Sequence, residues 1–171
     1  MKSNIRLIPT PLFIEFEDDK IEFKEEYDKL GAEIEDPVGQ YLKMAKARGE
    51  TKDSDKITVE LLTALHRKVD EILSLLNNET KELLELKYTA KITDIGYEYF
   101  KIKEKLLVPN QKYYSRIDIP FFPKREVPIY FIAIDEQIAE IIMIHDRDLN
   151  DYNAFVASRE RAIIREQKGI K

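Results

Sequence analysis

Leu84-Glu85-Leu86-Lys87-Tyr88-Thr89-Ala90-Lys91-Ile92-Thr93-Asp94-Ile95-Gly96-Tyr97-Glu98-Tyr99-Phe100-Lys101-Ile102 is where the periodicity of this chain changes. Before it the apolar residues recur every three or four positions. Within it they alternate, and alternation with period two places one face of a strand against a core. Leu86–Ile92 reads as one strand and Gly96–Ile102 as the next, with Tyr97 and Tyr99 on one face and Phe100 and Ile102 on the other. Downstream, Lys112–Ile119, Val127–Asp135 and Ile138–His145 repeat the pattern. Pro120, Pro123 and Pro128 demote the stretch between them to a loop or an edge, because proline cannot donate to a ladder. Several short strands at this spacing predict a small antiparallel barrel or sandwich.

Upstream of the change lies the clearest helical signal. Leu62, Leu65, Val69, Ile72 and Leu76 follow one another at steps of three and four, which is a heptad stripe. Thr58 is the expected cap, with Ile57 and Leu62 spaced as a hydrophobic staple. Leu83 and Leu86 keep the register, but Glu79 interrupts it and Asn77-Asn78 is expected to end or bend the helix. Thr63, Arg67, Lys68, Asp70, Glu71 and Ser74 form the opposite, polar face. The stripe is either an ordinary core face or a seam between subunits. The seam is favoured, because little N-terminal to the strands is apolar enough to cover it together with Leu61, Leu73 and Leu75.

The remaining elements are shorter. Leu12–Glu17 alternates partially and reads as a short hairpin or the lead-in to a helix. Asp36-Pro37 starts a helix that carries Tyr41, Leu42 and Met44 and ends by Gly49. Gly49–Lys56 is a polar linker. A closing helix is capped by Asp148, carries Leu149, Tyr152, Phe155, Val156 and Ile163 on one stripe, and stops at Gly169. The organisation expected is an N-terminal α/β extension (1–50), a linker with a long amphipathic heptad helix (51–82), and a barrel with a C-terminal helix (83–171). The class is α+β.

Composition narrows the function. The 171 residues are 43% hydrophobic and 36% charged with a net charge of −5, so the chain can build a core and is not a polycation made for phosphate backbones. Tyr88, Tyr97, Tyr99, Tyr113 and Tyr114 interleave with lysines and Arg116, an arrangement that could stack single-stranded nucleic acid. The acidic balance and the strand preference of tyrosine argue against it, and no nucleic-acid partner is expected. The absence of cysteine removes thiolate chemistry and Cys-ligated zinc. No apolar run is long enough to span a bilayer, and a cytoplasmic location without membrane insertion is expected. His145 beside Asp146 and Asp148 is better read as a strand end next to a helix cap than as a metal site, and His66 lies on the polar flank of the long helix. Carboxylate pairs such as Asp18-Asp19 and Glu25-Glu26 read as solvated surface. No nucleophile has a base beside it, the five glycines are too dispersed for a phosphate loop, and neither enzyme activity nor a cofactor or metal is expected.

The order of parts, with Leu62-x-x-Leu65-His66-Arg67-Lys68-Val69-Asp70-x-Ile72-x-x-Leu75-Leu76 ahead of a barrel and a charged last helix, resembles the PilZ-domain family, in particular its atypical group with an N-terminal extension and a long heptad helix. The local match is Lys91-Ile92-Thr93-Asp94-Ile95-Gly96, set against the family's Asp/Asn-x-Ser-x-x-Gly turn: Gly96 fits the glycine, Thr93 stands for the serine, and Lys91 replaces the acid or amide. The segment Tyr114–Pro120 and the stretch Phe155…Arg159-Glu160-Arg161 match the following strand and the closing helix, so the likeness covers residues 59–168. The resemblance implies a barrel that serves bacterial cyclic di-GMP signalling in motility or surface behaviour. The family's Arg-x-x-x-Arg clamp ahead of the first barrel strand is missing: Lys87 and Lys91 have its spacing but not its bidentate chemistry. The expectation is therefore a non-enzymatic adaptor that forms homo-oligomers through Leu62, Leu65, Val69, Ile72 and Leu76, binds a protein partner, and has lost cyclic di-GMP binding at the degenerate positions Lys91, Thr93 and Gly96. The alternative is a true cyclic di-GMP receptor that uses Lys87, Lys91 and Arg116 as non-standard cations.

Overall fold

Ile8, Thr10, Leu12, Ile14 and Phe16 are buried and the residues between them exposed, so strict alternation runs along one long strand, β1 (Ile8–Asp18). It is neither a hairpin nor the start of a helix. Pro9 and Pro11 occupy outward positions, and the pairing register of β1 shifts between Pro9 and Leu12, where the missing N–H groups interrupt the ladder. The computed structural model describes residues 5–32, 37–76, 83–120 and 126–169.

After β1 come α1 (Glu22–Gly31), α2 (Pro37–Ala47) and α3 (Lys56–Leu76). Five further strands follow: β2 (Tyr88–Ile95), β3 (Tyr99–Ile102), β4 (Lys112–Asp118), β5 (Val127–Ala133) and β6 (Ile138–Ile144). The described chain closes with α4 (Asp146–Gln167). The strands form a closed barrel in the order β1-β2-β3-β6-β5-β4, every neighbouring pair antiparallel. Closure gives each strand two neighbours and removes the free edges that invite pairing with other chains. The α+β class and the small antiparallel barrel are thus as the sequence led us to expect.

The chain divides into two compact units, residues 1–32 with 84–171 and residues 33–83. This corrects the expected boundaries. The first barrel strand comes from within the supposed extension at 1–50, because β1 pairs with β2 on one side and β4 on the other. The long amphipathic helix is not N-terminal to the barrel but lies within a segment between its first and second strands. The sequence hides this because the alternation of β1 is broken by its two prolines.

Inside the barrel Phe16, Phe100, Tyr113 and Phe131 meet at ring distances of 5.1–5.9 Å, most of them edge-on, as ring quadrupoles prefer. α4 adds Tyr152 and Val156 to this core, and the Tyr152 hydroxyl donates to the Gly96 carbonyl at 2.8 Å. α1 packs a second, smaller cluster outside the barrel, where Phe23 stacks on Tyr114 at 4.9 Å and Tyr27 meets Tyr130 at 5.1 Å. Pro128 sits near the start of β5 opposite Arg116, buried rather than at an edge, while residues 121–125 lie outside the described residues. α4 starts two residues before Asp148, with His145 as its N-cap and no side-chain cap bond.

The helical unit has its own local signals. Gly49, at φ +75°, ends α2 in the left-handed conformation that glycine tolerates. Its N–H reaches Lys46 O and that of Glu50 reaches Ala45 O, the paired bonds of a Schellman stop. α3 is capped by Asp55 and not by Thr58: the Asp55 carboxylate accepts from the Thr58 amide at 3.0 Å and from its hydroxyl at 2.6 Å. Asn77, Asn78 and Glu79 lie outside the described residues, and Leu83 and Leu86 are in irregular chain rather than on the helix.

Candidate functional site

Two surfaces carry the residues singled out from the sequence, one in each unit. On α3 a turn of 3.6 residues brings Leu62, Leu65, Val69, Ile72 and Leu76 onto one face, and all five are between 47% and 74% exposed. Leu61 and Leu73 flank the stripe and are also half exposed, as are Tyr41 and Met44 on α2. Away from the stripe, His66 pairs with Asp70 at 3.1 Å and Lys68 with Glu71 at 2.7 Å, exposed pairs that contribute little to stability. Among the described residues of this unit only Ala45 and Ala64 are buried. Ordering a residue costs about 1–2 kcal/mol of backbone entropy, and two buried methyl groups cannot offset that over two helices. The stripe's chemistry is therefore that of a surface short of cover.

On the barrel, the residues from Lys91 to Gly96 are committed to the fold, the first five on β2 and only Gly96 beyond its end. Lys91 is an outward residue of β2; its N–H donates to Glu104 at 3.0 Å and its carbonyl accepts from the Lys103 N–H at 2.8 Å. Thr93 sits where the β2–β3 register shifts, with its hydroxyl 2.7 Å from Asp94 Oδ2 and 3.4 Å from the Lys101 carbonyl. Gly96 is a crossing point. Its N–H donates to Tyr99 O at 2.7 Å, its carbonyl accepts from Tyr152, and a Cβ there would stand 2.5 Å from the Arg6 carbonyl oxygen. A backbone approach this close explains the glycine without a ligand.

The three cations of the receptor alternative are not assembled into one cluster. Lys91 and Arg116 lie on β2 and β4, on either side of β1, so about 10 Å of sheet separates their backbones. Between them β1 presents Phe13 and Glu15. Lys87 is exposed, its ammonium 5.0 Å from the Tyr88 ring, and a contact with the Tyr88 hydroxyl raises its pKa. Arg116 is only 5% exposed, and its guanidinium meets Glu26 at 2.6 Å, the Leu84 carbonyl at 2.9 Å and Glu15 at 3.1 Å. Burial disfavours its charge, but the two carboxylates outweigh that and hold its pKa above the ordinary value.

Glu26 is the residue that sequence reading missed. Glu25 is exposed and pairs with Lys29 at 2.6 Å, as a surface carboxylate should. Its neighbour Glu26 is buried, and it accepts from Tyr114, Arg116 and the Leu84 N–H. The signal was its spacing, three residues after Phe23 and one before Tyr27, on the inward face of α1. Burial and donation to Glu26 push the Tyr114 phenol well above its ordinary pKa, so it stays a donor. Tyr113 and Tyr114 are both inside, which removes them from any base-stacking platform.

His145 lies 3.9 Å from the Tyr27 ring and its Nε2 is 2.8 Å from the Tyr27 carbonyl oxygen, in the space left by Gly31, whose Cβ would overlap the imidazole. Among the described residues no group of three histidine or acidic side chains could hold a metal, and no helix is long and apolar enough to cross a membrane. Comparison with protein-family models, curated proteins and solved structures gives no match to this chain.

Proposed function

We propose that this protein is a non-enzymatic, PilZ-like adaptor of the cytoplasm that self-associates through α3 and carries its barrel as a protein-binding module in cyclic di-GMP-linked control of motility or surface behaviour. The observation that carries the reading is the exposed Leu62–Leu76 stripe. Fully burying a leucine or isoleucine contributes about 1.5–3 kcal/mol, and these five side chains are roughly half exposed. A second copy offers an identical stripe, so that one mutation acts on both faces of the seam. Lost cyclic di-GMP binding is supported by the commitment of Lys91, Thr93 and Gly96 to backbone geometry and of Arg116 to two carboxylates.

Light scattering on Ile72→Asp tests the seam. The expected result is a wild-type assembly that dissociates in the variant, because a buried, unpaired carboxylate is costly. A wild-type monomer, or an assembly unchanged by Ile72→Asp, refutes it. Calorimetric titration with cyclic di-GMP tests the ligand half: no binding is expected, and micromolar binding lost on Lys91→Ala would establish the receptor alternative.

A further inference from the structure

The backbone of Leu84, the first residue of the barrel unit after the helical one, is held by side chains in place of a neighbouring strand. Its N–H donates to Glu26 Oε2 at 2.6 Å, and its carbonyl accepts from Arg116 Nη1 at 2.9 Å. Glu26 and Arg116 are themselves joined at 2.6 Å, and Tyr114 donates to the same Glu26 oxygen at 2.7 Å. Both charged side chains are more than nine-tenths buried. Two residues on, Leu86 packs on the cluster of Phe23, Tyr27, Tyr114 and Tyr130. The side chains of Leu84, Glu85 and Lys87 are exposed.

We infer that Glu26 and Arg116 form a preformed socket for one residue of extended backbone followed by an aliphatic anchor two positions on, and that Leu84–Leu86 is a releasable strap occupying it. A carboxylate that accepts the N–H and a guanidinium that donates to the C=O of one residue together do what a rung of a β-ladder does, with charge-assisted bonds. The socket survives the strap's departure, because Glu26 keeps Tyr114 and Arg116, and Arg116 keeps Glu15. The strap is irregular chain on the surface, fastened among the described residues at one residue's backbone and one leucine, the condition under which a segment opens without the rest of the fold. Its occupant by displacement is a peptide of the strap's own type, Leu-x-Leu in extended form. This inference concerns the barrel unit alone and stands or falls separately from the α3 seam.

Hydrogen exchange on the full chain tests it, followed by NMR. In the wild type the Leu84 amide is expected to exchange at least about tenfold faster than the paired amides of β4 and β5, through a local opening. Leu86→Asp removes the anchor without touching the socket and is expected to speed Leu84 exchange further while β4 and β5 are unchanged. That variant is expected to bind a blocked peptide of sequence Leu-Glu-Leu-Lys-Tyr, with shifts at Arg116 and Tyr114, where the wild type does not; replacing the peptide's second leucine by aspartate should abolish binding. Should Leu86→Asp fail to fold, Leu86→Ala replaces it. Leu84 exchanging at the rate of the β4–β5 ladder would overturn the strap, and a folded, strap-loosened variant that ignores the peptide would overturn the socket.

Discussion

In the barrel, Phe16, Phe100 and Phe131 show no surface to solvent; in the helical unit, Leu62, Leu65 and Ile72 are more than half exposed. The first region hides its apolar side chains by closing a sheet on itself, while the second leaves its stripe exposed. Both have well-formed local structure and surface ion pairs, and the helical unit adds the Asp55 cap and the Gly49 stop. The difference teaches that local signals suffice to shape a helix but not to stabilise it, since helices in water derive most of their stability from packing.

The largest break in that contrast should come from Phe131→Ala. It leaves a cavity in the closed core and is expected to cost the barrel about 3–5 kcal/mol in denaturant unfolding. Ile72→Ala, an exposed truncation, should leave the barrel's own transition within about 0.5 kcal/mol. A comparable loss from both would erase the distinction between the regions. Gly31→Ala comes next, at about 1–3 kcal/mol from overlap with His145; His145→Ala in the same chain should recover part of it, and failure to recover would place the strain elsewhere. Tyr152→Phe, which orphans the Gly96 carbonyl, should lower the barrel's stability by about 1 kcal/mol in the same assay.

The smallest effect belongs to the helical unit. The Thr58 hydroxyl and amide hold the Asp55 carboxyl below its ordinary value of 3.8. A depressed pKa means that the cap's contribution is present above that value and is lost as pH falls through the lower folded one. Acid titration followed by circular dichroism should show a slight loss of helicity below pH 3.8 that is smaller in Asp55→Ala than in the wild type.

Much of the barrel was legible because β2, β4, β5 and β6 alternate or run apolar between clear breaks. Period alone puts Phe100 and Ile102 on one face together, and the barrel shows that face to be the buried one. β1 was not legible as a barrel strand, since its outward Pro9 and Pro11 mimic a loop and its partners lie far along the chain. Asp55 is not legible as the cap, because it sits within a polar linker where nothing marks it apart from its neighbours, while Thr58 has the residue type of a cap beside the apolar stripe. The stripe itself was read residue by residue, yet its exposure could not be, because burial depends on what the rest of the chain brings to it. Glu26 and Arg116 show the same limit: neither charge is unusual in sequence, and only the docking of α1 on β4 makes them partners.

Insertion of the helical unit after β1 also sets a timetable for synthesis. Phe16 pairs with Tyr88 on one side and Ser115 on the other, so the first strand waits for roughly a hundred residues before its second neighbour exists. At about 5–20 residues per second that delay lasts roughly 5–20 s on the ribosome. Throughout it Leu12, Ile14 and Phe16 have no barrel to enter, and the pairing they await is of the long-range kind that forms slowly. The newborn chain thus carries an apolar strand whose second set of partners exists only once β4 has emerged.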